Sequence, residues 1–244
     1  MEYREIAPPP QLADRVECFW TSEAGASQLH RVLPDGCADI LLTRAGGRIA
    51  LEAVGPMTRY RDHSAVSGQF HFGIRFRPGM WHDVLGVPAD RIVDTVLPLE
   101  DLWGSRARRL ADPLADAPSD ERCIRIVEAT LPPMSSASPL ERSVAFLERA
   151  RGCASIDDLA REAGMSARQF RRVCLEKTGL SPKLLARVLR FRHAVSRITP
   201  RADAAMVALD CGYYDQAHLI RDFREFAGQS PGRLTRGFVP AFLP

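Results

Sequence analysis

The chain has 244 residues, 45% of them apolar, with 33 Lys+Arg against 30 Asp+Glu. That is enough for about two domains with real cores, and it excludes a disordered chain. No stretch approaches the roughly 20 apolar residues of a membrane span, and the opening MEYREIAPPP lacks the apolar run of a signal peptide, so a cytoplasmic location is expected.

The N-terminal third reads as strands and turns. CFWTS, LHRVLPDGCADILL, RIALEAVGP and GQFHFGIRFRPG are apolar or alternating runs, with turn signals at Pro34-Asp35-Gly36 and Ala45-Gly46-Gly47. The run from Phe70 to Phe76 alternates as a half-buried strand does, and a small antiparallel barrel or sandwich is expected. Arg75 and Arg77 fall on one face of that strand, where an arginine inside a barrel could anchor a carboxylate or simply pair with nearby acids. Trp20, Trp81 and Trp103 could wall a pocket or fill the core. Trp20, Arg75 and Trp81 are the candidates for an effector pocket.

After Pro78-Gly79 the pattern changes to short helical pieces: Trp81, Val84 and Leu85 at helical spacing, then residues 98–103, then a helix over residues 120–131. Ile124, Val127 and Leu131 form one face of the last, either a dimer seam or a surface docked on the barrel. PPMSSASP (132–139) has no helical or strand period. The expected organisation is a sensing or dimerisation domain at 1–131, a linker at 132–138 and an all-α domain at 139–244. The fold class is α+β.

From Pro139 onward 18 Lys+Arg stand against 11 Asp+Glu, net +7, leaving net −4 before it. Ser138-Pro139-Leu140-Glu141 opens a helix as a capping box with proline at its first position. Two similar segments follow, LAREAGMSARQFRRVCLEKTGLSP (159–182) and VALDCGYYDQAHLIRDFREFAGQSP (207–231). In each, a small residue, Ala160 or Ala208, precedes a turn glycine, Gly164 or Gly212, by four positions, and a polar N-cap, Ser166 or Asp215, opens a second helix. These are two helix-turn-helix units, at about 155–179 and 203–228. Arg168, Arg171 and Arg172 in the first and Gln216, His218 and Arg221 in the second are the outward residues, of types that grip phosphate or read base edges. Between them Leu184, Leu185, Val188, Leu189, Phe191, Val195 and Ile198 mark one apolar helix of about 25 Å, which sets the spacing of the units toward one DNA turn of roughly 34 Å.

The second segment, through Ala208, Gly212-Tyr213, Asp215-Gln216, Leu219, Arg221, Phe223, Gly228 and Pro231, resembles the signature of the AraC family of bacterial transcription regulators, over residues 140–238. The resemblance implies a seven-helix DNA-binding domain with a long linker helix, attached to a domain that senses a small molecule, dimerises, or does both. Tyr213 stands for the usual phenylalanine, Ala217 and Ile220 where polar residues are common, and Thr235 where arginine is frequent, so the first unit is expected to be the stronger reader. Expected partners are duplex promoter DNA, an unidentified small-molecule effector, RNA polymerase if the chain activates, and a second copy if it dimerises.

Other chemistry is thinly represented. Six cysteines occur without a CxxC pair, so neither a zinc knuckle nor a disulfide framework is expected. His30, Cys37, His63, His71 and His82 are ligand types without ligand spacing, and no metal or cofactor is expected. No nucleophile elbow, phosphate loop or HExxH occurs, so no catalytic residue is named. Two other functions fit the same parts: a catalytic barrel fused to a DNA-binding domain, and an architectural DNA-binding protein without effector.

Overall fold

The computed structural model describes residues 2–132 and 136–234. Its N-terminal half is built on strands β1 (Glu2–Ile6), β2 (Val16–Glu23), β3 (Gln28–Val32), β4 (Ala38–Ala45), β5 (Arg48–Val54), β6 (Arg61–Ala65), β7 (Phe70–Phe76) and β8 (Val96–Pro98). Six form an antiparallel sheet in the order β1-β2-β7-β4-β5-β8, and β3 and β6 form a separate antiparallel ribbon.

Alternation sends Phe19, Ile40, Leu42, Phe72, Ile74 and Phe76 to one side of the sheet. There they meet Trp81 and the helices α1 (His82–Leu85), α2 (Leu99–Trp103), α3 (Ser105–Ala115) and α4 (Asp120–Thr130). Trp20, Leu41 and Val54 point the other way and pack with Val32 of the ribbon. The expected half-buried strand at Phe70–Phe76 is therefore buried on both faces from His71 onward, because helices cover one side and the ribbon the other. Helix α3 was not expected. Pro113 lies inside it, masking the spacing of Ala107, Leu110 and Leu114, which it buries. Helix α4 docks on the sheet, since Cys123, Val127 and Leu131 all join the sheet's core.

The C-terminal half is helical: α5 (Pro139–Arg149), α6 (Ile156–Glu162), α7 (Ala167–Thr178), α8 (Pro182–Arg197), α9 (Ala204–Asp210), α10 (Gln216–Ala227) and α11 (Pro231–Leu234). The capping box at the start of α5 is formed, with Ser138 accepting from the Glu141 N–H and Glu141 accepting from the Ser138 N–H. Helix α8 is shared between two cores. Leu185, Ala186 and Leu189 pack with α5, α6 and α7, while Val188, Phe191, Ala194 and Val195 pack with α9 and α10.

The two halves are in contact. Glu17 on β2 takes both terminal nitrogens of Arg192 on α8, Arg77 donates to Glu148 on α5 at 3.0 Å, and Leu33, just after β3, is buried in the α8–α10 core.

Candidate nucleic-acid interface

The two repeated segments fold as equivalent units, α6–α7 and α9–α10. In both, the glycine after the first helix takes a left-handed conformation, Gly164 at φ +68° and Gly212 at φ +73°. In both, the alanine carbonyl accepts from the N–H five residues on, Met165 N–H to Ala160 O and Tyr213 N–H to Ala208 O, each at 2.9 Å. Those alanines are buried, since a larger residue would part the crossing helices. The second helices then open on their N-caps: Ser166 Oγ accepts from the Gln169 N–H at 3.2 Å and Asp215 Oδ1 from the His218 N–H at 2.7 Å.

Phe170, Cys174 and Thr178 anchor α7 from below, as Leu219, Phe223 and Phe226 anchor α10. Arg168, Arg171, Arg172, Gln216 and Arg221 are all exposed on the opposite faces. Arg172 makes an i,i+4 pair with Glu176 at 3.3 Å, too exposed to hold the side chain against a phosphate. His218 is only half-exposed and stands edge-on to the Tyr213 ring, centroids 5.3 Å apart. Ala217 is exposed and Ile220 half-buried, so α10 offers two freely exposed readers where α7 offers three. Thr235 lies outside the described residues.

Two features of this surface escaped the sequence reading. Asp222 is fully buried on the core side of α10, where Arg187 of α8 donates to its Oδ1 at 2.7 Å and to Glu225 at 2.6 Å. That ion pair locks α10 to the linker helix, and its signal was a carboxylate lodged between Leu219 and Phe223 on an apolar face. Tyr214, directly before the N-cap of α10, is 94% exposed, an aromatic ring left in solvent at the mouth of the second unit.

Of the candidate effector residues, Trp20 and Arg75 meet at Asp39 and Trp81 stands apart from both. Trp81 is buried on the helix-covered side of the sheet, while Trp20 and Arg75 lie on the ribbon side. The sheet separates them because they stand on opposite faces of its alternation. Arg75 is 2% exposed and lies 3.4 Å from both Asp35 and Asp39, so its charge is already answered within the chain. Trp20 donates to Asp39 at 2.8 Å, and burial pushes the Asp39 carboxyl up to about 6 despite the nearby arginine. Burial also raises the Cys37 thiol well above its ordinary value, with Asp35 and Glu17 adding to it, which leaves that cysteine unreactive.

His30, His63 and His71 meet edge to face between ribbon and sheet, with centroid separations of 4.9 and 5.6 Å. Burial lowers all three, His30 and His71 to about 4, so they are neutral at pH 7. Among the described residues no group of three side chains is placed to hold a metal ion. A cleft of about 430 Å³ runs between the two halves, lined by Glu5, Glu148, Arg151, Leu189, Arg192, His193 and Ser196.

A family model described as a helix-turn-helix domain matches residues 159–237, which takes in both units and α8 between them. The helical half is a helix-turn-helix domain of the AraC type. Residues 4–98, ahead of this AraC-type domain, match a domain of unknown function, DUF6597. No curated protein sequence matches the chain. Among solved structures, the DNA-binding domain of the global transcriptional factor AdpA, in complex with a target DNA, is 27% identical over 41% of this chain and 91% of its own, with a TM-score of 0.38. ToxT from Vibrio cholerae is 9% identical over 97% of this chain and 100% of its own, TM-score 0.45. The AraC-like transcriptional activator CuxR is 15% identical over 80% of this chain and 94% of its own, TM-score 0.23.

Proposed function

We propose that the chain is a one-component transcription regulator that reads duplex DNA through α7 and α10 and responds to a small molecule through its N-terminal half. The observation that carries this reading is the pair of equivalent, N-capped helices that bury one face and present Arg168, Arg171 and Arg172, and Gln216 and Arg221, on the other. Helices of this kind enter the major groove with their first turns, where arginine reads guanine and glutamine reads adenine with two hydrogen bonds each. Helix α7 is the main base reader, and α10 supplies phosphate contacts with one or two base contacts. The boundaries at 1–131, 132–138 and 139–244 divide sensing from reading.

The effector site is the cleft between the halves, where a ligand touches α5 and α8 together with β1 and can favour one arrangement of the halves over another only through its different affinity for each. If the effect is activation, RNA polymerase is the further partner.

Mapping of bound DNA across the parent genome, followed by binding titrations at fixed salt, tests the reading. A specific site should be preferred over random duplex by roughly 10³-fold or more. A ratio near one would leave an architectural DNA-coating role in place of a regulator.

A further inference from the structure

Both recognition helices end on a left-handed glycine at the equivalent position of the repeat, Gly179 at φ +74° after α7 and Gly228 at φ +69° after α10. Gly179 is buried and Gly228 keeps exposed surface, but neither has open space where a Cβ would stand. A Cβ on Gly179 would lie 2.8 Å from Val93 and 3.0 Å from both the Ala89 carbonyl and Pro56, and a Cβ on Gly228 would lie 2.5 Å from the Tyr60 ring. Every one of those neighbours belongs to the N-terminal half.

Polar contacts and cores repeat the same arrangement. Lys177 in the last turn of α7 donates to Asp83 at 2.7 Å, and the Arg31 guanidinium donates to the last carbonyl of α10, Ala227, at 3.0 Å. Arg31 is itself held by two bonds to Asp62 across the ribbon, at 2.6 and 2.8 Å, and lies over the Tyr60 ring. Each unit's core is completed from the N-terminal half, with Val93 packed on that of α6–α7 and Leu33 and Tyr60 on that of α9–α10. At the other ends of the two helices, Arg168, Arg171, Arg172, Gln216 and Arg221 remain exposed.

We propose that the N-terminal half is a spacing clamp. It grips α7 and α10 at their equivalent C-terminal glycines, fixes the separation and relative angle of the two helices, and so determines which spacing between two DNA half-sites the protein accepts. Helix α8 joins the units at one side, together with the Cys153 thiol ahead of α6, which donates to the Cys211 carbonyl in the turn of the second unit at 3.7 Å. A second tie at the far ends removes the remaining freedom, and a site held in its bound geometry loses less on binding. Arg31, Tyr60 and Asp83 are in this sense positioning residues that need touch no DNA. The inference rests on the DNA-reading function proposed above.

Selection of duplexes from a randomised 30-base-pair library by the full chain tests it. Wild type should enrich two sequence elements at one fixed separation. Arg31→Ala/Tyr60→Ala and Asp83→Ala should keep the same elements but spread their separation over several base pairs, and bind the wild-type optimum roughly fivefold to twentyfold more weakly. Leu29→Ala, in the same ribbon but at a side chain that is 68% exposed, should match wild type and controls for general damage to the ribbon. Thermal melting confirms that each variant is folded, and Arg31→Ala alone, which removes no buried apolar group, is the fallback if the double variant is not. One unchanged separation in the folded variants would overturn the clamp while leaving DNA reading intact. Failure of wild type to enrich paired elements at all would overturn both.

Discussion

Leu33 is the sharpest test of how the two halves depend on each other. It has no exposed surface and, although it follows a strand of the N-terminal half, it packs in the core of the second helix-turn-helix unit among Val188, Phe191 and Phe223. Leu33→Ala removes three carbons from that core, a loss of about 2.4 kcal/mol at about 0.8 kcal/mol per buried carbon. The void left behind, only partly refilled, brings the total to about 3 kcal/mol, inside the roughly 2–5 kcal/mol span of such truncations. In a chain of this size each kcal/mol moves the melting temperature by roughly 2–4 °C, so a fall of about 6–12 °C is expected. Calorimetry of the intact protein measures it, with Leu29→Ala as the control. Leu29 lies in the same ribbon strand but is 68% exposed, and its truncation should stay within about 0.5 kcal/mol of wild type. A Leu33→Ala melting temperature within about 2 °C of wild type would refute the argument, because a leucine of the second unit's core cannot be lost so cheaply.

Arg171→Ala or Arg172→Ala should cost about 1–3 kcal/mol on a specific site and relax preference at one base position; equal losses on specific and random duplex at the same salt would count against base reading. Gly73→Ala would place a Cβ 1.9 Å from the Trp20 ring, so the indole must leave Asp39. A loss of more than about 3 kcal/mol, with a changed tryptophan emission spectrum, is expected, and wild-type stability would show that the close approach is not real. Burial holds His30 and His71 at about 4, with His63 adding to it in both, below the ordinary value of about 6.5. The unfolded chain therefore takes up protons first. Stability is complete above about pH 6.5 and is lost as pH falls from there to about 4, by on the order of 3 kcal/mol at most for His71. Asp39, raised by burial, offsets part of this between about pH 4 and 6, while Glu17, held at about 2 by Arg192 against the cost of burial, acts only at lower pH. His71→Gln should thus reduce the drop in melting temperature between pH 7 and pH 5, and identical pH profiles for the two proteins would exclude the buried imidazole as a cause.

The helical half was legible in the sequence because its signals are local. A capping serine or aspartate, a glycine that must be left-handed and an apolar stripe at helical spacing each lie within one or two turns of chain, and the duplication printed them twice. Its exposed arginines were legible for the same reason, since a helix face follows from spacing alone. The strand-rich half was read less completely. Strand β6, with Arg61, His63 and Ala65, makes sense only once β3 lies beside it, and α3 was hidden by Pro113.

By itself, then, the sequence determined the two reading helices and their caps, the helix between them and the basic charge of that half, all consequences of contacts a few residues apart. Only the tertiary structure decided where Trp20, Arg75 and Trp81 go, because side-chain alternation assigns faces but not what covers each face. Only the tertiary structure, too, joined Arg31 to Ala227 and Leu33 to Phe223. These pairs are about 190 residues apart in the chain, and no periodicity or motif reports a contact that exists solely because two separately folded surfaces fit.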